Sequence, residues 1–200
     1  MKTSVNSISF VITAIYTGTF ASAVYQILAF DEKTISLGLR SGVDVPILLC
    51  ASICMIMTLR FFFGNNNYVD EIFAKRQSAL SRLYHFFVIV VESLILLGSS
   101  YLVRNPLEFI TWISVLFAVE ISWYVGCLSF FRHAISNGVG QLNRPLALNE
   151  LANVVMASGA LVARRTLYQN SDLAIYIVAI LFAANTAVDL KVNLKSYMGA

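Results

Sequence analysis

Glu92 and Glu120 are the two residues whose type and position most suggest chemistry. Each lies inside a long apolar run, one between Arg82 and Arg104 and the other between Glu108 and Arg132. A carboxylate in a membrane helix costs about 2.5–3.5 kcal/mol on insertion scales, so it faces protein or water and is read first as functional. Arg104-Asn105-Pro106-Leu107 separates the two runs and allows only a tight turn, so they form an antiparallel hairpin. Counting outward from Val103 opposite Glu108 brings Glu92 and Glu120 to the same depth. Two level carboxylates in low dielectric would not both ionise and could share a proton. Such a pair suits cation binding or proton relay. The competing reading is that both are neutral and hydrogen-bonded, and serve helix packing.

Other residues extend this seam. His85, Glu92 and Ser99 recur every seven residues and share one helix face. Glu120 shares its face with Trp123, Tyr124 and Cys127, which adds Tyr124. The same counting sets His85 level with Gly126 or Cys127, inward of the glutamates. An imidazole there could gate by pH, although interfaces also collect such side chains. Ala14, Gly18 and Ser22 form a small-xxx-small stripe suited to close contact with another helix, in this chain or a second copy. Asn185, Asp189 and Asn193 make a polar stripe at i,i+4 spacing that could bind a cation or a partner, although an ordinary exit into water is the favoured reading. Arg60, ahead of three phenylalanines, is expected to snorkel to the interface beside an aromatic belt.

Enzymatic chemistry finds no support. Cys50 and Cys54 are four apart on one helix, which is not a redox or metal spacing, and three cysteines make no disulfide framework. His85 and His133, the two histidines, fall at different depths and suit no shared haem. The chain has no metalloprotease, nucleophile-elbow or phosphate-loop motif. No metal, cofactor or catalytic residue is expected.

Composition says what must position these residues. The 200 residues are 58% hydrophobic and 12% charged, half the charge of a soluble domain. Mean hydropathy is +0.74. This excludes disorder, and the 14 Lys and Arg are too dispersed for a nucleic-acid face. The fold class is all-α: one polytopic transmembrane helical bundle over residues 1–200, in contact with the lipid bilayer. The spacing predicts spans over 8–30, 45–63, 84–103, 108–131 and 171–190. Asp44 can cap the second, with Pro46 in its first turn and Gly64 at its end. Ser171 or Asp172 can cap the last. The segment 147–163 is ambiguous. Its apolar part, 151–163, is short, and it reads as re-entrant or as a sixth span if Arg164 and Arg165 snorkel.

Lys and Arg set orientation. With the N-terminus cytoplasmic and six spans, the inner side holds Lys2, Arg60, Lys75, Arg76, Arg82, Arg132, Arg144, Lys191 and Lys195. The outer side holds Lys33, Arg40, Arg104, Arg164 and Arg165. With five spans, Arg164 and Arg165 exchange sides with Lys191 and Lys195, and the balance is unchanged. Ala21-Ser22-Ala23 resembles a signal-peptidase site, but the apolar run continues to Phe30, which favours a retained helix. Residues 68–83 read as an amphipathic inner linker, and Arg132 to Pro145 as a loop.

Two functions follow from different classes. The first is a homo-oligomeric, ion- or proton-conducting channel or transporter subunit that uses the paired carboxylates. The second is a non-conducting anchor or sensor. It would present Lys75, Arg76 and Arg82, together with the loop after Arg132, to a cytoplasmic protein partner, for example in an envelope-stress or phage-defence assembly. Short loops and the cysteine usage point to a bacterial inner membrane.

Overall fold

The computed structural model describes residues 2–36, 44–74, 79–130 and 144–197. These form six helices and no strand: α1 (Lys2–Ser36), α2 (Val45–Ala74), α3 (Ala79–Tyr101), α4 (Pro106–Phe130), α5 (Arg144–Thr166) and α6 (Ser171–Tyr197). Five of them carry stretches long and apolar enough to cross a membrane: Phe10–Leu28, Val45–Phe63, Leu83–Tyr101, Pro106–Gly126 and Ser171–Lys191. The chain is an all-helical integral membrane bundle. Residues 75–78 and 131–143 lie outside the described residues, and with them Lys75, Arg76 and Arg132.

Local chemistry explains the helix starts. Asp44 Oδ1 accepts the Ile47 N–H at 3.4 Å, ahead of Pro46. Asn105 Oδ1 accepts the Glu108 N–H at 3.5 Å, with Pro106 as the first helical residue. The cap of α6 is Asn170, one residue before those expected, because Asn170 Oδ1 accepts the Leu173 N–H at 3.0 Å. α2 also departs from expectation. It passes through Gly64 and ends at Ala74, so 68–74 extend the second helix instead of starting a separate linker. A glycine inside a helix costs only about 1 kcal/mol, which the continuing hydrogen bonds can offset.

Cross-helix contacts fix the direction of each helix. Tyr16 meets Phe62 edge-on, so α1 and α2 are antiparallel. Cys54 contacts Ser99, which packs α2 against α3. Tyr84 donates to the carbonyls of Ser122 and Trp123, closing the α3–α4 hairpin at its far end. Arg164 donates to the Leu107 carbonyl at 3.2 Å and pairs with Glu108 at 3.5 Å. The C-terminal end of α5 therefore lies beside the α3–α4 turn. Asn153, nearer the start of α5, interacts with Glu120 toward the end of α4. α5 thus runs antiparallel to α4 through the bundle and returns as α6 through the turn at Leu167–Asn170. The result is an up-and-down bundle of six helices.

The bundle is apolar outside, and its polar side chains are buried within a largely apolar core. Phe10, Leu83, Phe87, Tyr101 and Ile180 are exposed, whereas Thr58, Arg60, His85, Glu92, Ser93, Ser99 and Asn153 are buried. That arrangement suits lipid as the surrounding solvent. α5 carries it furthest: Leu148, Leu151, Val155 and Val162 face out while Asn149, Glu150 and Asn153 face in. Its inward polar residues explain why its length of apolar sequence reads as too short to span.

Candidate ion or proton site

Arg60, Asn149, Glu150, Asn153, Asn185 and Asp189, all buried, gather with Glu120 where the apolar stretches of α2, α4 and α6 approach their C-terminal ends and α5 begins. Each occupies the next position along its helix's buried stripe. Cys50, Cys54 and Met57 lead to Arg60 on α2, while Val178 and Phe182 lead to Asn185 and Asp189 on α6. On α5, Ala160, Ala157 and Met156 lead back to Asn153 and Glu150. Helical periodicity points these side chains at one another because it points the apolar ones into the core.

Arg60 is the centre of the cluster. Its Nε donates to Asp189 Oδ2 at 3.0 Å, and its Nη1 donates to Asn185 Oδ1 at 2.7 Å and to Met57 Sδ at 3.7 Å. The ion-paired side chains are 8% and 3% exposed, so solvent screens the pair little. Asn185 Nδ2 donates to Asn153 Oδ1 at 2.8 Å, and Asn153 Nδ2 donates to Glu150 Oε2 at 3.4 Å. The Asn153 amide also faces the Glu120 carboxyl, and Glu120 and Glu150 act electrostatically on each other and on Arg60 and Asp189.

The direction of this relay is dictated by Arg60. A guanidinium only donates, so Asn185 must present its oxygen to Arg60 and its amide N–H to Asn153. Asn153 then has its oxygen occupied and turns its N–H toward the glutamates. Every donor in the chain points at the carboxyls. Glu120 Oε2 is buried without a hydrogen-bond partner, and so is Asn149 Oδ1, one turn before Asn153. Arg60 lies three residues before the end of its apolar stretch and Glu120 six, about 5–9 Å at 1.5 Å per residue. The cluster sits inside the bundle toward that end.

The earlier expectations for Arg60 and the α6 stripe are corrected by this geometry. Arg60 does not snorkel; its guanidinium stays in the bundle because Asp189 and Asn185 supply its acceptors. Asn185 and Asp189 are 3% and 2% exposed, so these two are not an exit into water; the side chain of Asn193 lies outside the described residues. Glu120 keeps its place at the heart of a polar site, among neighbours from α2, α5 and α6 that hairpin geometry alone could not supply. Glu92 is buried on α3, together with His85 and Ser99, and the three share an inward face.

His85 accepts the Trp123 indole N–H on Nδ1 at 2.9 Å. The indole has no other role than donor, so this bond requires the neutral imidazole. Ser99 donates to the Leu96 carbonyl at 2.7 Å, which uses its one hydroxyl proton and makes the Cys54 thiol the donor of their 3.9 Å contact. Tyr124 is half-buried beside Trp123. On α1 the buried face is Ile12, Tyr16, Thr19 and Ala23, so Ala14 and Gly18 point outward, with Ser22 at the margin. A Cβ at Gly18 would meet nothing within 4 Å. Arg82 lies in α3, with its side chain outside the described residues. Among the described residues no group of three His, Cys, Asp or Glu is arranged to hold a metal.

Sequence reasoning missed Arg60, Glu150, Asn153 and Asp189 as members of one site. The available signal was phase, since each continues the buried stripe of its own helix. No family model, curated protein or solved structure matches this chain.

Proposed function

We propose that the protein is an ion- or proton-conducting membrane subunit whose transported ion binds at the Arg60–Asp189–Glu120–Glu150 cluster. The reading rests on one observation: carboxyl groups outnumber the guanidinium inside the bundle, and one buried carboxylate oxygen, Glu120 Oε2, has no partner. Intramembrane ionisable groups of this kind mark ion and proton pathways. Packing alone would be served better by apolar side chains, which often replace buried ion pairs without loss of stability. In this reading α5 is a sixth crossing, both termini are cytoplasmic, and the cluster opens toward the inner side. The outward small-residue face of α1, where a Cβ at Gly18 would meet nothing within 4 Å among the described residues, is where copies would meet in a homo-oligomer.

The test is proton and cation flux into proteoliposomes. Wild type should conduct, and Glu120→Gln and Glu150→Gln should each lower the flux at least tenfold with the folded protein intact. Flux unchanged by both substitutions would sink the reading.

A second reading is favoured by the length of α2. The helix runs from the end of its apolar stretch at Phe63 to Ala74, about 16 Å beyond the span at 1.5 Å per residue. Such a projection could present an anchor or sensor surface to a cytoplasmic protein. Absence of flux, with capture of a partner that is lost when residues 68–74 are replaced, would favour it.

A further inference from the structure

We propose that Glu120 and Glu150 form a single proton-binding pair, one carboxylic acid beside one carboxylate, and that the proton is the ion this site takes up. The inference deepens the transport reading above and rests on it for the use of the site.

Charge balance leads to this pair. Among the described residues, Arg60 is the cation that acts on both glutamates, and it already bonds Asp189 at 3.0 Å. One guanidinium cannot neutralise three carboxylates. The excess falls on Glu120 and Glu150, which act on each other across α4 and α5. Two like charges in low dielectric are relieved when one takes a proton.

Hydrogen-bond balance leads to the same place independently. Glu120 Oε2 and Asn149 Oδ1 are buried acceptors without donors, and Asn149 is 4% exposed. An unsatisfied buried polar group costs about 1–3 kcal/mol. A proton bound at either glutamate brings a donor into this volume: an O–H bond forms at one carboxylate oxygen. Release breaks the same bond and returns both groups to carboxylates, so no other reactant is needed.

A metal cation suits the site poorly. Hard cations want six or more oxygen ligands. Here the Asn153 and Asn185 oxygens already accept hydrogen bonds, the Asn153 amide N–H points inward, and Arg60 adds a fixed positive charge. Among the described residues, the charged groups facing the pair are Arg60 from α2 and Asp189 from α6. On α3, which packs against the other side of α4, Glu92 is buried and His85 accepts from Trp123.

The test is infrared difference spectroscopy of the purified protein in lipid, titrated with acid in light and heavy water. The expected result is a protonated-carboxyl band, shifted by deuterium, that Glu120→Gln and Glu150→Gln each abolish. Glu108→Gln, at the far end of α4, should leave it in place, and Glu92→Gln separates any band Glu92 carries. If a Gln variant fails to fold, Glu120→Asp keeps the carboxyl and should shift the band. A band that survives in both Gln variants, or that sodium or potassium displaces at constant pH, overturns the proposal. Sodium or potassium flux without the band would keep the transport reading and refute the proton pair. The band without any flux would keep the pair and refute transport.

Discussion

Removing Arg60 should be more harmful than removing Asp189, and the two losses should not add. The ion pair joins α2 to α6 at 3.0 Å with both side chains buried. With charge centres about 4 Å apart and an effective dielectric near 20, the attraction is about 4 kcal/mol. Breaking one side of a buried pair typically costs about 3–5 kcal/mol, because the surviving charge keeps its desolvation penalty and loses its compensation. Arg60→Met therefore removes the ion pair to Asp189 and, among the described residues, the cation bonded within the cluster. For a chain of this length, about 2–4 °C per kcal/mol converts the loss to a drop in Tm on the order of 10 °C. Asp189→Asn should cost less, since Arg60 still donates to Asn185 and still faces Glu120. The double variant Arg60→Met/Asp189→Asn should recover part of the loss relative to the sum of the singles, with a coupling of about 1–3 kcal/mol. Thermal unfolding in detergent micelles, followed by Trp fluorescence and monitored for aggregation by size exclusion, measures all three. If Arg60→Met lowers Tm by less than 2 °C, or if the two singles simply add, the pair is not the buried contact described here and the account of the cluster fails with it.

Two further predictions concern topology and packing. With Cys50, Cys54 and Cys127 replaced, a cysteine at Gln169 in the α5–α6 turn should react with an impermeant thiol reagent from the side opposite a cysteine at Thr3. Labelling of both from one side would mean that α5 does not cross. Gly126→Ala should destabilise by about 1–3 kcal/mol, because its Cβ would run into Tyr84 Oη and lie 2.9 Å from Cζ. Gly18→Leu should leave monomer stability unchanged, since that position faces open space, and should dissociate an oligomer built on α1. Equal loss of Tm in the two glycine variants would contradict the assigned faces.

Much of the architecture was legible in the residues. Apolar stretches of about 20 residues define five of the helices, because backbone amides in lipid must bond within their own helix. Asp44, Asn105-Pro106 and the turn before Ser171 mark helix starts through capping chemistry that acts over three residues. The α3–α4 hairpin follows from a link too short for anything else. Glu120 was legible as an inward group because a carboxylate facing lipid is too costly. α5 was hard to read because its polar face looks inward, so that averaging over its sequence hides an apolar outer surface.

Tertiary structure decided the partners. Periodicity states which residues share a face of one helix, but not which helix that face meets. Arg60 and Asp189 are 129 positions apart, and nothing local in either segment distinguishes a buried pair from an interfacial arginine and a polar helix end. Only the packing of α2 against α6, with α5 alongside α4, brings one guanidinium, three carboxyls and the two amides that link them into one volume. The same packing leaves Gly18 facing outward and encloses His85 against Trp123. Local spacing thus determined which groups had to turn inward, since lipid cannot solvate them. The order of helices around the core determined which of those groups met, since only that order sets the distances over which their charges act.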